Sequence, residues 1–273
     1  MKENDQENNN FRIAVPADYA GFFSHFYYAE NKTAASITKT LLPTYQTILI
    51  FNFGTKVFLH SKQDTQVEIS KCLVLGPIKQ AFDYTLPANA EILVVTFKDD
   101  AFYRFFGNAS IAEHVPMDPD DILNENCFSV LWNELNKIKD TNLRVDHILK
   151  FCDPYLRQQN TIAEQLTGFK DQTLNPIKSV ASEISQTERN VQLIHKKHLG
   201  YSAKEFNRYL RFLKAIELIQ DIVSADSKVD WFEIISECGY YDQSQLIHDF
   251  KHYINISPAK YLKFQQDICI SKS

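Results

Sequence analysis

Ser244, Gln245, His248, Asp249 and His252 carry hydrogen-bonding groups at a spacing that gathers them on one side of a helix. Projected at ~100° per residue, the same stretch sends Leu246, Ile247 and Phe250 to the opposite side. Solvated helix faces usually mix lysine with glutamate. A face of amide, hydroxyl and imidazole groups is instead suited to hydrogen bonding with a partner. The flanks define where that helix begins and ends. Gly239 can take the positive φ of a tight turn, Asp242 with Gln245 three residues on makes a capping-box start, and Ser257-Pro258 opens a further helix.

A second stretch has the same layout. Thr187 is the expected cap of a helix that buries Val191 and Ile194 and turns Arg189, Gln192, Leu193 and Lys196 outward. Leu193 is out of place on a solvated surface, but would suit a partner with an apolar spot, such as a thymine methyl in a major groove. Between the two stretches, Ser202 and Glu205 form another capping box. Phe206, Tyr209, Leu210, Leu213, Ile216 and Ile219 then trace an amphipathic helix to about Ser224. Roughly 20 residues at ~1.5 Å each span ~30 Å. That approaches the ~34 Å pitch of a DNA duplex, so the two units could reach successive major grooves.

The rest of the chain must position these elements. With 273 residues, two cores are expected, and 20 Phe and 13 Tyr are ample to fill them. From Tyr19 to Gly107, short apolar or alternating runs ("TILIFNFG", "KVFLHS", "AEILVVTFK") stand between turn residues, the pattern of strands in a sandwich or barrel. From Asp120 the period becomes helical through Ile122, Phe128, Leu131, Leu135 and Ile138, then Leu143, Val145, Ile148, Leu149 and Cys152. The fold class expected is α+β: a mostly-β domain over 11–110, a helical segment over 111–158, a polar linker over 159–175, and an all-α domain over 176–268, behind a disordered polar tail of residues 1–10. Everything after Pro176 reads as helical.

Residues 1–159 hold 15 basic and 20 acidic side chains, and residues 160–273 hold 14 of each. The net charge of −5 therefore lies in the first part. A neutral second part can still bind phosphates through a locally basic face, with a modest counterion-release term. The five scattered cysteines form no C-x-x-C pair, and the N-terminus lacks an apolar leader. No apolar run approaches a membrane span of ~20 residues, so the expectation is a cytoplasmic protein with reduced thiols and no membrane partner.

The C-terminal part, about Pro176 to Lys263, resembles the tandem helix-turn-helix domain of AraC/XylS-type transcription regulators. Ile235, Gly239, Tyr240, Asp242, Gln243, Ser244, Leu246, Phe250, Lys251, Ser257, Pro258 and Tyr261 carry the resemblance in the second unit. Arg211, Ala215 and the Gly200-Tyr201-Ser202 turn carry it in the first unit and the linking helix. It implies base reading by Arg189, Gln192, Gln243, Ser244, Gln245 and His248, joined by the outward Leu193, and phosphate contacts from Lys196, Lys197 and Lys251. Leu193 and His248 stand where the family often has arginine, and Ser185 replaces the usual turn glycine. The N-terminal half is similar, more loosely, to the cupin-like β-domains that precede such domains. This implies double-stranded DNA as partner, a small-molecule effector at the β-domain, a homodimer, and RNA polymerase as a further partner. The helices over 120–151 could form a dimer seam or pack on the β-domain.

Catalysis is not expected. His25, His60 and His114 are isolated, so no metal site is expected either, and no nucleotide or nucleophile motif occurs. Asp99-Asp100 and Asp120-Asp121 read as solvated loop acids, and no cofactor is implied. Phe22, Phe23, Phe26, Tyr27, Phe51, Phe53, Phe97 and Phe102 could line an effector cavity or form plain core. The rival reading is a non-catalytic ligand-binding or protein-interaction module whose helical domain no longer binds DNA.

Overall fold

The computed structural model describes residues 8–60, 66–107, 109, 116–155, 157–169, 175–225, 229–263 and 268–269. His114, residues 1–7 of the expected tail and residues 170–174 of the expected linker lie outside the described residues.

Two five-stranded sheets face each other. The first runs in the order β1 (Asn8–Ile13), β2 (Phe23–Asn31), β9 (Ala90–Phe97), β4 (Ile48–Asn52) and β7 (Cys72–Leu75), antiparallel throughout. The second runs β10 (Ile268–Cys269), β3 (Ile37–Leu41), β8 (Phe82–Leu86), β5 (Val57–His60) and β6 (Gln66–Ile69), with only the β10 to β3 pair parallel. β4 shows why the first sheet is so apolar. All five of its residues are buried because the sheet is covered on both faces. Ile48 and Ile50 belong to the core between the sheets, while Leu49 and Phe51 belong to the core under the helices.

Those helices are α1 (Ala101–Phe106), α2 (Pro119–Leu123), α3 (Cys127–Leu135) and α4 (Thr141–Cys152). Phe128, Leu131 and Leu135 of α3 and Val145, Ile148 and Leu149 of α4 pack under β2, β4 and β9. Arg144 fixes the assembly from within. It is 4% exposed, donates from Nε to the carbonyls of Leu135 and Ile138, pairs with Glu91 on β9, and lies over the ring of Phe53. Leu143, expected on the apolar face, is instead 58% exposed.

Several expectations are corrected. Asn8–Asn10, assigned to a disordered tail, pair with β2, whose neighbouring backbone satisfies a segment too polar to read as a strand. Residues 161–167 of the expected linker form α5 (Thr161–Thr167), capped by Asn160 and burying Ala163 and Leu166. The C-terminal region is not wholly helical, because β10 follows α11 (Pro258–Lys263). Asp100 and Asp120 are not solvated. Asp100 is 1% exposed and accepts a hydrogen bond from Gln159, and Asp120 accepts from the backbone amides of Phe128 and Ser129 at the start of α3.

The helical domain comprises α6 (Pro176–Glu183), α7 (Glu188–Leu199), α8 (Ala203–Ser224), α9 (Trp231–Cys238), α10 (Gln243–Ile254) and α11. It docks on the β-domain through the connection between β3 and β4. Tyr45 there has a φ of 55° and is 5% exposed. Its ring stacks on Tyr209 at 4.4 Å and meets Tyr201 edge-on at 5.0 Å. Around it, the Tyr209 hydroxyl donates to the Pro43 carbonyl at 2.7 Å, the Ala81 amide donates to the Tyr253 carbonyl at 2.8 Å, and Lys79 pairs with Glu205 at 3.1 Å. Truncating a fully packed aromatic costs about 3–5 kcal/mol. Tyr45→Ala should therefore uncouple the domains, so that a single urea transition of the parent chain becomes two; a shifted but still single transition would show that other contacts hold the docking.

Candidate functional site

The two helix-turn-helix units match element for element. α6 and α9 each have eight residues, α7 and α10 each have twelve, and both pairs are joined by four residues. Each turn contains one left-handed residue, Ser185 at φ 55° and Gly239 at φ 72°. Each second helix is capped alike: the Thr187 hydroxyl accepts from the Asn190 amide, and the Asp242 carboxylate from the Gln245 amide. The linking helix α8 has 22 residues and a complete capping box between Ser202 and Glu205, so it is about 33 Å long at 1.5 Å per residue.

On α7, Arg189, Gln192 and Leu193 are exposed, Leu193 by 60%, while Val191 is fully buried. On α10, Gln243, Ser244 and His248 are exposed and Leu246 and Phe250 are fully buried. These residues therefore form one outward set on each helix. Gln245 is partly committed. Its side-chain carbonyl accepts from the Tyr241 amide at 2.9 Å, leaving its amide group to act outward. Lys196 and Lys251 are exposed, each on the third turn of its helix. Lys197 is exposed too, but its ammonium lies 5.7 Å from the ring of Tyr103 on α1, turned toward the β-domain.

Asp249, expected on the outward face with His248, is 1% exposed. Its carboxylate accepts from Arg208 Nε at 2.6 Å and from Arg211 at 3.2 Å, both on α8. The helical projection placed it near the boundary of the outer face, and two guanidinium groups draw it inward. Arg208 also reaches His248 Nδ1 at 2.9 Å. Arg208 was not singled out by sequence, and Asp249 was placed on the outward face; two arginines three apart on the linking helix, Arg208 and Arg211, were the available signal for its inward turn.

A cavity of about 380 Å³ lies between the two sheets. Its walls are largely aliphatic, from Ile48, Ile50, Leu59, Ile69, Ile92 and Val94 among others. Of the eight aromatic residues read as either cavity lining or core, only Tyr27 reaches it. Phe23, Phe26, Phe51, Phe97 and Phe102 point to the other face of the first sheet and form core with the helices. The polar wall holds Arg12, His25, Tyr27, Thr44, Gln46, Tyr84 and Thr96. Strand register sets His25 opposite Thr96 and Arg12 opposite Tyr27. Burial, reinforced by the Arg12 charge, pushes the His25 ring down to about 4. Among the described residues, no group of three His, Cys, Asp or Glu side chains could hold a metal ion, and no helix is long and apolar enough to cross a membrane.

Comparison with known proteins divides along the same lines. Residues 180–263 match a family model described as a helix-turn-helix domain, and residues 12–115 match a domain of unknown function (DUF6597). No curated protein sequence matches the chain. Among solved structures, ToxT from Vibrio cholerae is 14% identical over 87% of this chain and 98% of its own, with a TM-score of 0.41. An unsaturated fatty acid-bound ToxT from the same organism is 11% identical over both full lengths, with a TM-score of 0.40. An RmlC-like cupin protein from Desulfovibrio desulfuricans is 12% identical over 36% of this chain and 88% of its own, with a TM-score of 0.28.

Ser185 holds a left-handed backbone that costs a side-chain-bearing residue about 1–2 kcal/mol, against ~0.5–1 kcal/mol for the extra freedom of an unfolded glycine. Ser185→Gly should thus stabilise the protein by about 0.5–1 kcal/mol in urea unfolding. Destabilisation would mean that the hydroxyl carries an interaction outweighing this strain. His25 supplies a pH test. Its folded value lies below the ordinary 6.5, so its contribution is complete above pH 6.5 and is lost as pH falls through about 4. His25→Gln should flatten the fall in stability across that window, and an unchanged acid limb would contradict a neutral, buried ring.

Proposed function

We propose that this chain, whose residues 180–263 form a helix-turn-helix domain of the AraC type, is a sequence-specific transcription regulator that reads two adjacent major-groove segments with α7 and α10. The observation that carries the reading is the matched pair of units, with equal helices, equal turns and equal caps, joined by a helix about as long as one turn of DNA is high. Arg189, Gln192, Leu193, Gln243, Ser244, Gln245 and His248 would meet base edges. Lys196 and Lys251 would meet phosphates, and Lys197 would do so only on leaving Tyr103.

In this reading residues 8–110 are the regulatory part, 111–158 a helical segment and 176–263 the DNA-binding part, with α5 packed onto the latter. The cavity takes a small-molecule effector with an apolar body, suited to the aliphatic walls, and a polar or anionic head, suited to the Arg12, His25 and Thr96 end. The connection between β3 and β4 relates cavity to DNA. Thr44 and Gln46 line the cavity, whereas Tyr45 between them is buried in the helical domain. The exposed Val130 and Leu143 of α3 and α4 offer an apolar face to a second copy. RNA polymerase is the further partner such a regulator requires, in the cytoplasm.

Purified full-length protein should select genomic fragments sharing a two-part motif, with binding that weakens as salt rises. Absence of any enriched motif, with and without cell extract as effector source, would favour a module that does not bind DNA. On a selected fragment, Arg189→Ala or Gln192→Ala should relax base preference by about 1–3 kcal/mol, whereas Lys251→Ala should weaken binding to all sequences alike. Unchanged preference in the first two variants would remove the base-reading role of α7.

A further inference from the structure

His248 is 74% exposed at its side chain, yet it is not a free rotor. The Asp249 carboxylate, buried beside it, takes Nε of Arg208 at 2.6 Å and an amino group of Arg211 at 3.2 Å, which sets the plane of the Arg208 guanidinium. That plane lies 5.6 Å from the ring of Tyr253, so the arginine is held on two sides. One of its two amino groups meets His248 Nδ1 at 2.9 Å. Guanidinium has donors and no acceptor, so in this contact the lone pair of Nδ1 must accept. The proton of the neutral ring then sits on Nε2, on the opposite side of the imidazole, where no partner occurs among the described residues.

From this geometry we infer that Arg208 is a positioning residue, which fixes His248 as an outward hydrogen-bond donor selecting a base edge that accepts, guanine above all, over cytosine. The inference rests on α10 being a recognition helix. Guanine shows two adjacent acceptors in the major groove, N7 and O6, and thymine shows O4, whereas cytosine presents an amino donor that an Nε2–H cannot meet. An arginine at this site would contact guanine by two bonds. Histidine held by Arg208 makes one bond in a preset direction, and the positive charge stays behind on α8, 31% exposed and paired with Asp249.

Two measurements test the inference. The first compares binding of the full-length protein and its His248→Ala, Arg208→Met and Arg211→Met variants to a selected fragment carrying each of the four base pairs at every position. His248→Ala and Arg208→Met should flatten the preference at one and the same base pair by about tenfold, and the double variant should be no flatter. Arg211→Met, which also loosens Asp249 without touching His248, should keep that preference. If Arg208→Met instead weakens all sequences alike and leaves the preference intact, Arg208 is merely structural and the inference fails. The second measurement is the imidazole nitrogen NMR of the DNA-free protein. The proton should reside on Nε2 of His248, with Nδ1 shifted as a hydrogen-bonded acceptor only while Arg208 is present. A proton on Nδ1, or spectra indifferent to Arg208→Met, would overturn the contact itself. Intact NMR signatures with no DNA selection would instead sink the DNA-binding reading, and base selection by His248 with it.

Discussion

The docking of Tyr45 into the helical domain is the constraint on which the arrangement of the two halves depends. A tyrosine is held at positive φ, a conformation that side chains with a Cβ adopt at a cost, and a packed cluster of aromatic rings from the turn before α8, from α8 and from α10 offsets that cost. The surrounding hydrogen bonds involve backbone carbonyls of both domains, so the interface has directional as well as apolar content. Because the flanking residues of the same connection line the cavity, the wall that a ligand would touch and the knob that holds the helical domain belong to one short segment. Packed segments of this kind tend to switch between discrete arrangements rather than deform gradually.

The two helix-turn-helix units share a plan but differ in how firmly each is set. In the second, Gly239 takes its left-handed turn without a side chain, and a buried carboxylate gathers two arginines from α8, so α10 is tied to the linking helix by charge-assisted bonds. In the first, Ser185 bears the strain of the turn and the small core around Val191 borrows Leu166 from α5. The first unit meets the β-domain through His198 against Tyr103 at 3.8 Å. The rigid second unit is thus suited to fixing direction in its contacts, and both units touch the β-domain, the second through Tyr253 against Tyr45 and the Ala81 amide.

Much of the helical domain was legible because its signals are local. Caps at Thr187, Ser202, Asp242 and Ser257 and the turn at Gly239 each depend on residues three or four apart. The central strands were readable from their apolar runs. β1 and β3 were not: "NNNFRI" is an edge segment and "ITKTL" lies between β8 and the two-residue β10, so the identity of each comes from neighbouring strands far along the chain. The inward turn of Asp249 depends on Arg208 and Arg211, about 40 residues away. The choice between cavity lining and core stayed open for the aromatic residues because aromatic content marks apolar surroundings without saying which face of a sheet a strand residue occupies. In β2 the alternation sends His25 and Tyr27 to the cavity and Phe26 to the helices.

The most direct measurement of the central claim is a hydroxyl-radical footprint of the full-length protein on a duplex that it selects. Two tandem units separated by α8 predict two protected patches on one face of the duplex, centred about one helical turn, ~10 base pairs, apart. A single patch, protection on opposite faces, or no protection at all would contradict the claim that α7 and α10 read successive major-groove segments together.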